Sequence, residues 1–482
     1  MGESFVQGVP KLEELRICGC KDITFKGMES HQDISSLHGS APGRCSQVLS
    51  MVAEEEEKQL QQKFPCRLHN LELRDCENLA KLPQMLHNLS SLTDISIKNC
   101  SNLVSFAEVV GLPSRLRSIT IENCKARGVE ALVHSSMTSL ESFKISDCES
   151  VKYIARVQLP PNLKRLDIKY CNNLQTLVDN EVSEMLEESI NSGSSQNTSL
   201  LEYLNIKDCE SLASLLSHGE LPCSVKCIEI DNCPNLVSFS PRGNLPTALG
   251  YLSIRQCSKL ESIAERVNDN TSLQEIEIMD CPSFIPFPDG GLPSTKLSAL
   301  YINECERLAA LPNGMCNLSS LRNLKIQKCP GIVSFPEDGF PTNIWSLEVK
   351  DANICKPLFE WGLHRLTSLS VLKISGGCDD VESFPQEEIG IKLPISLATL
   401  EIENFPNLES LSSSVQNLTS LGRLHFLRCP KLKYFPKGLP SSIYDLYIDG
   451  CPLLEEKCKK NAEYWPIIAN VIMIRLGERR IY

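Results

Sequence analysis

No stretch of this chain approaches the ~20 consecutive apolar residues that a membrane-spanning helix needs. The longest candidate, WPIIANVIMI (Trp465 to Ile474), is half that length. The opening residues, MGESFVQGVP, show no apolar run behind a charged start, which predicts no secretory signal. Val6 stands where a myristoylation pattern needs Ser or Thr. An excess of positive charge is missing too. With 48 basic against 60 acidic residues the formal charge is −12, which speaks against nucleic acid, whose phosphates call for a basic face. Catalytic signatures are also lacking: there is no G-x-x-x-x-G-K-[ST], H-E-x-x-H, G-x-S-x-G or kinase pattern, and the eight His are scattered. These absences leave no catalytic, cofactor or metal site to assign. They predict a non-enzymatic, cytoplasmic chain.

What the sequence has is a thiol that keeps returning. LTDISIKNC ends at Cys100, LRSITIENC at Cys124, LESFKISDC at Cys148 and LKRLDIKYC at Cys171. The series runs Cys76, Cys100, Cys124, Cys148, Cys171, Cys209, Cys233, Cys257, Cys281, Cys305 and Cys329, mostly in steps of 24. It passes through Ala352, Gly377 and Phe405 and returns to cysteine at Cys429 and Cys451; Cys20 opens it. About 17 copies of L-x-x-L-x-I-x-x-C share one frame, with apolar residues at fixed offsets beyond, such as Leu236 and Phe239 after Cys233. This is the leucine-rich-repeat pattern at its 20–29-residue period.

The spacing has a physical logic. The second Leu and the Ile are two apart, so both point to one face of a strand and the residue between them to the other. One coil alone buries too little apolar surface to offset the entropy of ordering itself, so coils must stack and pair their strands. The expected fold is an α/β solenoid: a right-handed leucine-rich-repeat horseshoe with a long parallel β-sheet on its concave face. Proline-rich returns such as SFPEDGFPTN (334–343) and FPKGLPSS (435–442) predict a mostly non-helical convex side. The returns LPQMLHNLSSL (82–92), LPNGMCNLSSL (311–321) and LSSSVQNLTSL (411–421) have room for one short helical turn. The chain is read as one solenoid over 1–482, with insertions at 28–65 and 178–199 and a C-terminal cap at 452–482. The five N-x-[ST] sequons, at Asn88, Asn197, Asn270, Asn317 and Asn417, read as repeat grammar, since three lie in the recurring N-L-[ST]-S-L.

The thiol closes the strand where the chain turns inward, a small buried site next to backbone groups that need partners. A thiol is small, apolar and a weak donor, and the Asn or Asp often before it suits a turn. Neighbouring coils would hold successive Cys near disulfide distance, but the absent signal and the odd total of 23 Cys favour reduced thiols. Zinc would want C-x₂-C pairs with His, which do not occur.

A binding surface follows from the repeat. The residue between the two inward positions faces the concave side in every copy, and this column is polar, mixed in sign and irregular. The candidate protein-binding residues are Tyr203, Tyr251, Glu277, Tyr301, Lys325, Glu348, Lys373 and His425, with the three tyrosines expected to form a broken aromatic ridge flanked by Glu277 and Lys325.

The repeat L-x-x-L-x-I-x-x-C-x-x-L-x-x-[LF]-P, the GLPSS return (Gly438 to Ser442) and the tail CPLLEEKCKKNAEYWPIIANV (Cys451 to Val471) resemble the leucine-rich-repeat region of plant intracellular immune receptors of the coiled-coil, nucleotide-binding class. The tail departs from that family after Ala469, where its common His-Ile-Pro is replaced by Asn-Val-Ile. The resemblance implies recognition of a pathogen effector or guarded host protein, and contact with a nucleotide-binding module of the same receptor family. The coiled-coil and nucleotide-binding modules have no counterpart in these residues, so ATP/ADP exchange is not assigned. Two alternatives share the fold: a ubiquitin-ligase adaptor, which needs an F-box, and an extracellular receptor ectodomain, which needs a signal and a membrane span.

Overall fold

A computed structural model of the chain describes residues 13–18 and, between Leu68 and Arg480, all but short segments at 77–78, 80–88, 103–111, 125–136, 156–157, 180–198, 218–219, 240–243, 265–270, 286, 288–290, 293–294, 334, 351–352, 377–379, 387–391 and 478. Insertion 28–65 lies outside the described residues, as does all of insertion 178–199 except Val178, Asp179 and Ser199. The frame positions Cys20, Ala352 and Gly377 and the sequons at Asn88, Asn197 and Asn270 lie outside them too. Contacts divide the chain into two compact units, Met1–Leu249 and Gly250–Tyr482.

In the first unit, eight five-residue strands follow the repeat: β1 (Glu14–Cys18), β2 (Asn70–Arg74), β3 (Asp94–Lys98), β4 (Ser118–Glu122), β5 (Ser142–Ser146), β6 (Arg165–Lys169), β7 (Tyr203–Lys207) and β8 (Cys227–Asp231). Each pairs parallel with the next, in unbroken register, so that Leu71, Ile95, Ile119, Phe143, Leu166, Leu204 and Ile228 form one buried row. The second unit repeats the plan. It holds β9 (Tyr251–Arg255), β10 (Glu275–Met279), β11 (Ala299–Asn303), β12 (Asn323–Gln327), β13 (Ser346–Lys350), β14 (Val371–Ser375), β15 (Ser383–Phe384), β16 (Thr399–Glu403), β17 (Ser410–Leu411), β18 (Arg423–Leu427), β19 (Asp445–Asp449), β20 (Met473–Leu476) and β21 (Arg479–Arg480). Its parallel ladder runs from β9 through β14, β16, β18 and β19 to β20, and β21 folds back antiparallel on β20. This is a leucine-rich-repeat solenoid, a stack of parallel-strand coils.

The returns are mostly non-helical. Short 3₁₀ turns occupy Met315–Asn317 and Ser413–Asn417, in two of the three returns with room for one; most of the third, 82–92, lies outside the described residues. A helix the repeat pattern did not announce, Cys355–Trp361, replaces one return where the frame loses its cysteine. β15 and β17 pair on the return side, joined by isolated bridges such as Ser410↔Tyr434. The helix Pro452–Cys458 follows β19, and the shorter helix Trp465–Ile468 precedes β20. Among the described residues, no helix is long and apolar enough to cross a membrane.

The thiol ladder is the seam of the core. Cys76, Cys100, Cys124, Cys148, Cys171, Cys209, Cys233, Cys257, Cys281, Cys305, Cys329, Cys429 and Cys451 are all buried and unbridged. Each sulfur donates to the carbonyl two residues back, at 3.0 Å for Cys329 and 3.6 Å for Cys451. Some reach the preceding coil as well, as Cys305 does to the Ile278 carbonyl at 3.8 Å. Burial, with smaller contributions from neighbouring groups, pushes the thiols of Cys148 and Cys171 up to about 12. The residue before each ladder thiol turns left-handed, with φ 56° at Asn99 and 52° at Asp280.

Candidate functional site

Each strand of the ladder offers three outward positions: first, middle and last. In the second unit the middle row reads Ser253, Glu277, Tyr301, Lys325, Glu348, Lys373, Glu401, His425, Tyr447 and Arg475, each paired in register with the next. Six of the eight sequence candidates, Glu277, Tyr301, Lys325, Glu348, Lys373 and His425, therefore stand in one continuous row, all partly buried. Tyr203 and Tyr251 open their strands and belong to the first row. Tyr251 is in register with Glu275 and Ala299, whereas Tyr301 is in register with Glu277 and Lys325. Tyr251 and Tyr301 therefore stand in neighbouring rows rather than in a single ridge. The distinction is visible in the sequence: Tyr203 and Tyr251 come six residues before their ladder thiols, Tyr301 four.

The tyrosines differ in how tightly the protein holds them. In the first unit, Tyr203 donates to Glu229 at 3.0 Å while the Arg165 guanidinium sits 4.1 Å from its ring centroid. Burial and then that hydrogen bond push its hydroxyl up to about 12. In the second unit Tyr251 reaches Glu277 at 3.4 Å, but that carboxylate is mainly committed to Ser253 at 2.9 Å and Arg255 at 2.6 Å. Burial raises the Tyr301 hydroxyl, and the charges of Glu275 and Glu277 add to this.

From β13 to β20 the outward face becomes an ion-pair lattice. Lys350 lies 2.8 Å from Glu401, 2.9 Å from Glu403 and 3.7 Å from Glu348. Lys373 approaches Glu401 at 3.6 Å. His425 stands between Asp445 at 3.2 Å and Glu401 at 3.9 Å, its ring edge-on to Tyr447. Arg475 pairs with Asp445 at 3.2 Å and stacks over Tyr447 at 4.4 Å; Arg428 pairs with Glu403. Glu401, Glu403 and Asp445 are buried despite facing outward. The neighbouring His425 ring, then the hydrogen bond and charge of Lys350 and the charge of Lys373, hold Glu401 down to about 2. Burial alone would lower the Lys350 ammonium, but its bonds to Glu401 and Glu403 raise it above its usual range. Lys350, Glu403 and Asp445 come from the first and last rows, which a reading of the middle column alone passes over. Their signal is positional: Lys350 and Glu403 stand two residues before the closing position, Asp445 six.

The buried carboxylates Glu401, Glu403 and Asp445 are tied to fixed cations, and no group of three or more His, Cys, Asp or Glu among the described residues is placed to hold a metal ion.

No protein-family model matches the chain. Over 117 residues, 24% of this chain and 8% of the other, it is 34% identical to a protein of Arabidopsis thaliana provisionally named as a disease resistance protein. The chain thus spans a small part of that relative. Among solved structures, the leucine-rich-repeat domain of the type III effector XopL is 20% identical, with 53% of this chain and 75% of that one covered and a TM-score of 0.34. A leucine-rich-repeat protein of Leptospira interrogans is 15% identical over 77% of this chain and 82% of its own, with a TM-score of 0.42.

Proposed function

We propose that the chain is a non-enzymatic protein-recognition module of a plant disease-resistance receptor, one that senses a pathogen effector or a guarded host protein through its outward sheet face. One observation carries the reading. The inward rows repeat Leu and Ile monotonously, while the outward rows of the same strands vary in size, charge and aromaticity from coil to coil. A rigid scaffold with a non-repeating face is what recognition of one particular protein surface requires. The 34% identity to a plant protein with a disease-resistance name supports the class. Contact with a nucleotide-binding module and a cytoplasmic setting belong to the same proposal.

The experiment is to sequence the native transcript and then probe the face. A nucleotide-binding module encoded upstream supports the receptor reading; an F-box, or a signal with a membrane span, overturns it. At the face, Tyr251→Ala with Tyr301→Ala should weaken binding of the protein partner more than tenfold and leave the unfolding midpoint nearly unchanged. Binding that survives while stability falls would make these tyrosines structural.

A further inference from the structure

A second surface lies along the edge where the chain enters the strands. The residue just before each strand, seven before the ladder position, forms a row of its own. Main-chain bonds from Trp345, Ser370, Ala398, Gly422 and Tyr444 each reach the carbonyl of the preceding member, beginning at Arg322, over 2.8–2.9 Å; Met473 closes the series on Tyr444. In the first unit the same position reads Glu13, His69, Thr93, Arg117, Glu141, Lys164, Glu202 and Lys226, and its charges pair among themselves, as Lys164 with Glu141 at 3.1 Å and Lys226 with Glu202 at 2.9 Å. In the second unit, every residue of the row after Arg322 is uncharged. Trp345 and Tyr444 stand 50% and 43% exposed, with small Ser370, Ala398 and Gly422 between them. The Tyr444 ring lies against Gly422, where a Cβ would come within 2.4 Å of it.

The result is a shallow trough with aromatic walls and a small-residue floor. Its first end opens into a depression of about 350 Å³ lined by Arg322, Asn323, Asn343, Trp345 and Ser368. Arg322 heads the row, and Arg423 opens β18 one residue past Gly422, with Tyr444 one strand beyond it; neither arginine has a carboxylate within ion-pair distance among the described residues. Arg322 spends Nη1 on the carbonyls of Ser319, Leu321 and Asn343, which fixes its position without neutralising it. Arg423 lies 5.8 Å from the Tyr444 ring centroid. Trp, Tyr and Arg are the side chains most enriched at interface hot spots. Strands ~4.8 Å apart place the two arginines about 19 Å from each other across four steps of the ladder, the reach of roughly six residues of extended chain.

We infer that this trough binds an extended acidic-apolar segment of a partner protein, with two carboxylates about six residues apart meeting Arg322 and Arg423, apolar side chains between them packing on Trp345, and the last of these lying against the Tyr444 ring where it leans back over Gly422. The inference rests on the protein-recognition reading and adds a second contact surface to it. Charge complementarity selects the occupant: two unneutralised arginines stand in a chain of formal charge −12, which repels extended polyanions but leaves a short acidic segment a local place to dock.

The test uses the full chain and a fluorescently labelled peptide, Glu-Val-Leu-Pro-Ala-Val-Glu, read by anisotropy. Saturable binding that weakens at least tenfold in Arg322→Glu, in Arg423→Glu and in Trp345→Ala supports the site, provided circular dichroism and the unfolding midpoint stay unchanged. A peptide with Lys at both ends should prefer the doubly charge-reversed protein over the parent. No saturable binding, binding indifferent to all three substitutions, or equal competition by heparin regardless of sequence overturns it. If Tyr251→Ala and Tyr301→Ala abolish capture of the natural partner and the arginine reversals do not, the sheet-face reading stands and the trough falls.

Discussion

A sulfur that closes a strand must fit a sealed space and give its one weak hydrogen bond to a nearby main-chain carbonyl. The Cys257 thiol does both, buried beneath β9 with its donor 3.3 Å from the Arg255 carbonyl. Cys257→Arg would bury an unpaired charge there and should cost on the order of 3–5 kcal/mol, read as a lower urea midpoint. The residue before it presents the opposite opportunity. Gln256 is left-handed at φ 53°, a conformation that Asn tolerates better than most side chains. Gln256→Asn should therefore stabilise by about 0.5–1 kcal/mol, part of the ~1–2 kcal/mol cost of that conformation. An unchanged midpoint would mean that the left-handed turn carries no strain at this position. Two of the thiols also set an alkaline limit. Cys148 and Cys171 ionise near 9.0 when unconstrained and only at about 12 when buried. Their contribution is full below pH 9 and is lost as pH rises toward 12, because only the unfolded chain gains from ionising. Chemical denaturation at pH 8 and pH 10.5 should show stability falling, without any change in the carboxylates.

At the scale of the element, a strand in this ladder is two inward anchors and three outward positions, and the outward ones interact chiefly across strands. The lattice on β13, β14, β16, β18 and β19 is the clearest case, since Lys350 of β13 reaches past β14 to two carboxylates on β16. Lys350→Met would leave Glu401 and Glu403 buried with fewer cations, a loss of about 1–3 kcal/mol once residual solvent access is allowed for. Glu401 gives this lattice its acid signature. Its pKa is depressed from 4.5 to about 2, so its stabilisation is present above pH 4.5 and is lost as pH falls through 2. Glu401→Gln should flatten the acid limb of the stability profile; an identical limb would place the acid sensitivity elsewhere. The strands themselves were legible in the sequence because two-residue alternation between anchors, repeated in frame, leaves only one register that buries them all. Which outward residues meet was less legible. Tyr251 and Tyr301 are both outward, yet six and four residues before their thiols they fall in different rows. The helix Cys355–Trp361 escaped altogether, since it occupies a return where the frame's cysteine is missing and carries Pro357 near its start, which a pattern reading takes as a helix breaker.

Across the molecule, contacts follow the order of the chain. In each unit every ladder strand touches the next strand of the ladder, and the buried rows pass from coil to coil. Stability in such an array is approximately a sum of coil terms and nearest-neighbour interfaces, so damage should stay local in a way a globular core does not permit. Cys148→Arg places an unpaired charge in the first unit between β5 and the return to β6. Mass-spectrometric hydrogen exchange should then show lost protection in the strands Ser118–Glu122, Ser142–Ser146 and Arg165–Lys169. The ladder from Glu275 to Leu476 should exchange nearly as slowly as in the parent, since each of its strands keeps both of its own neighbours. A uniform rise in exchange across both units would show that the coils melt as one cooperative body, and the nearest-neighbour account of this solenoid would be wrong.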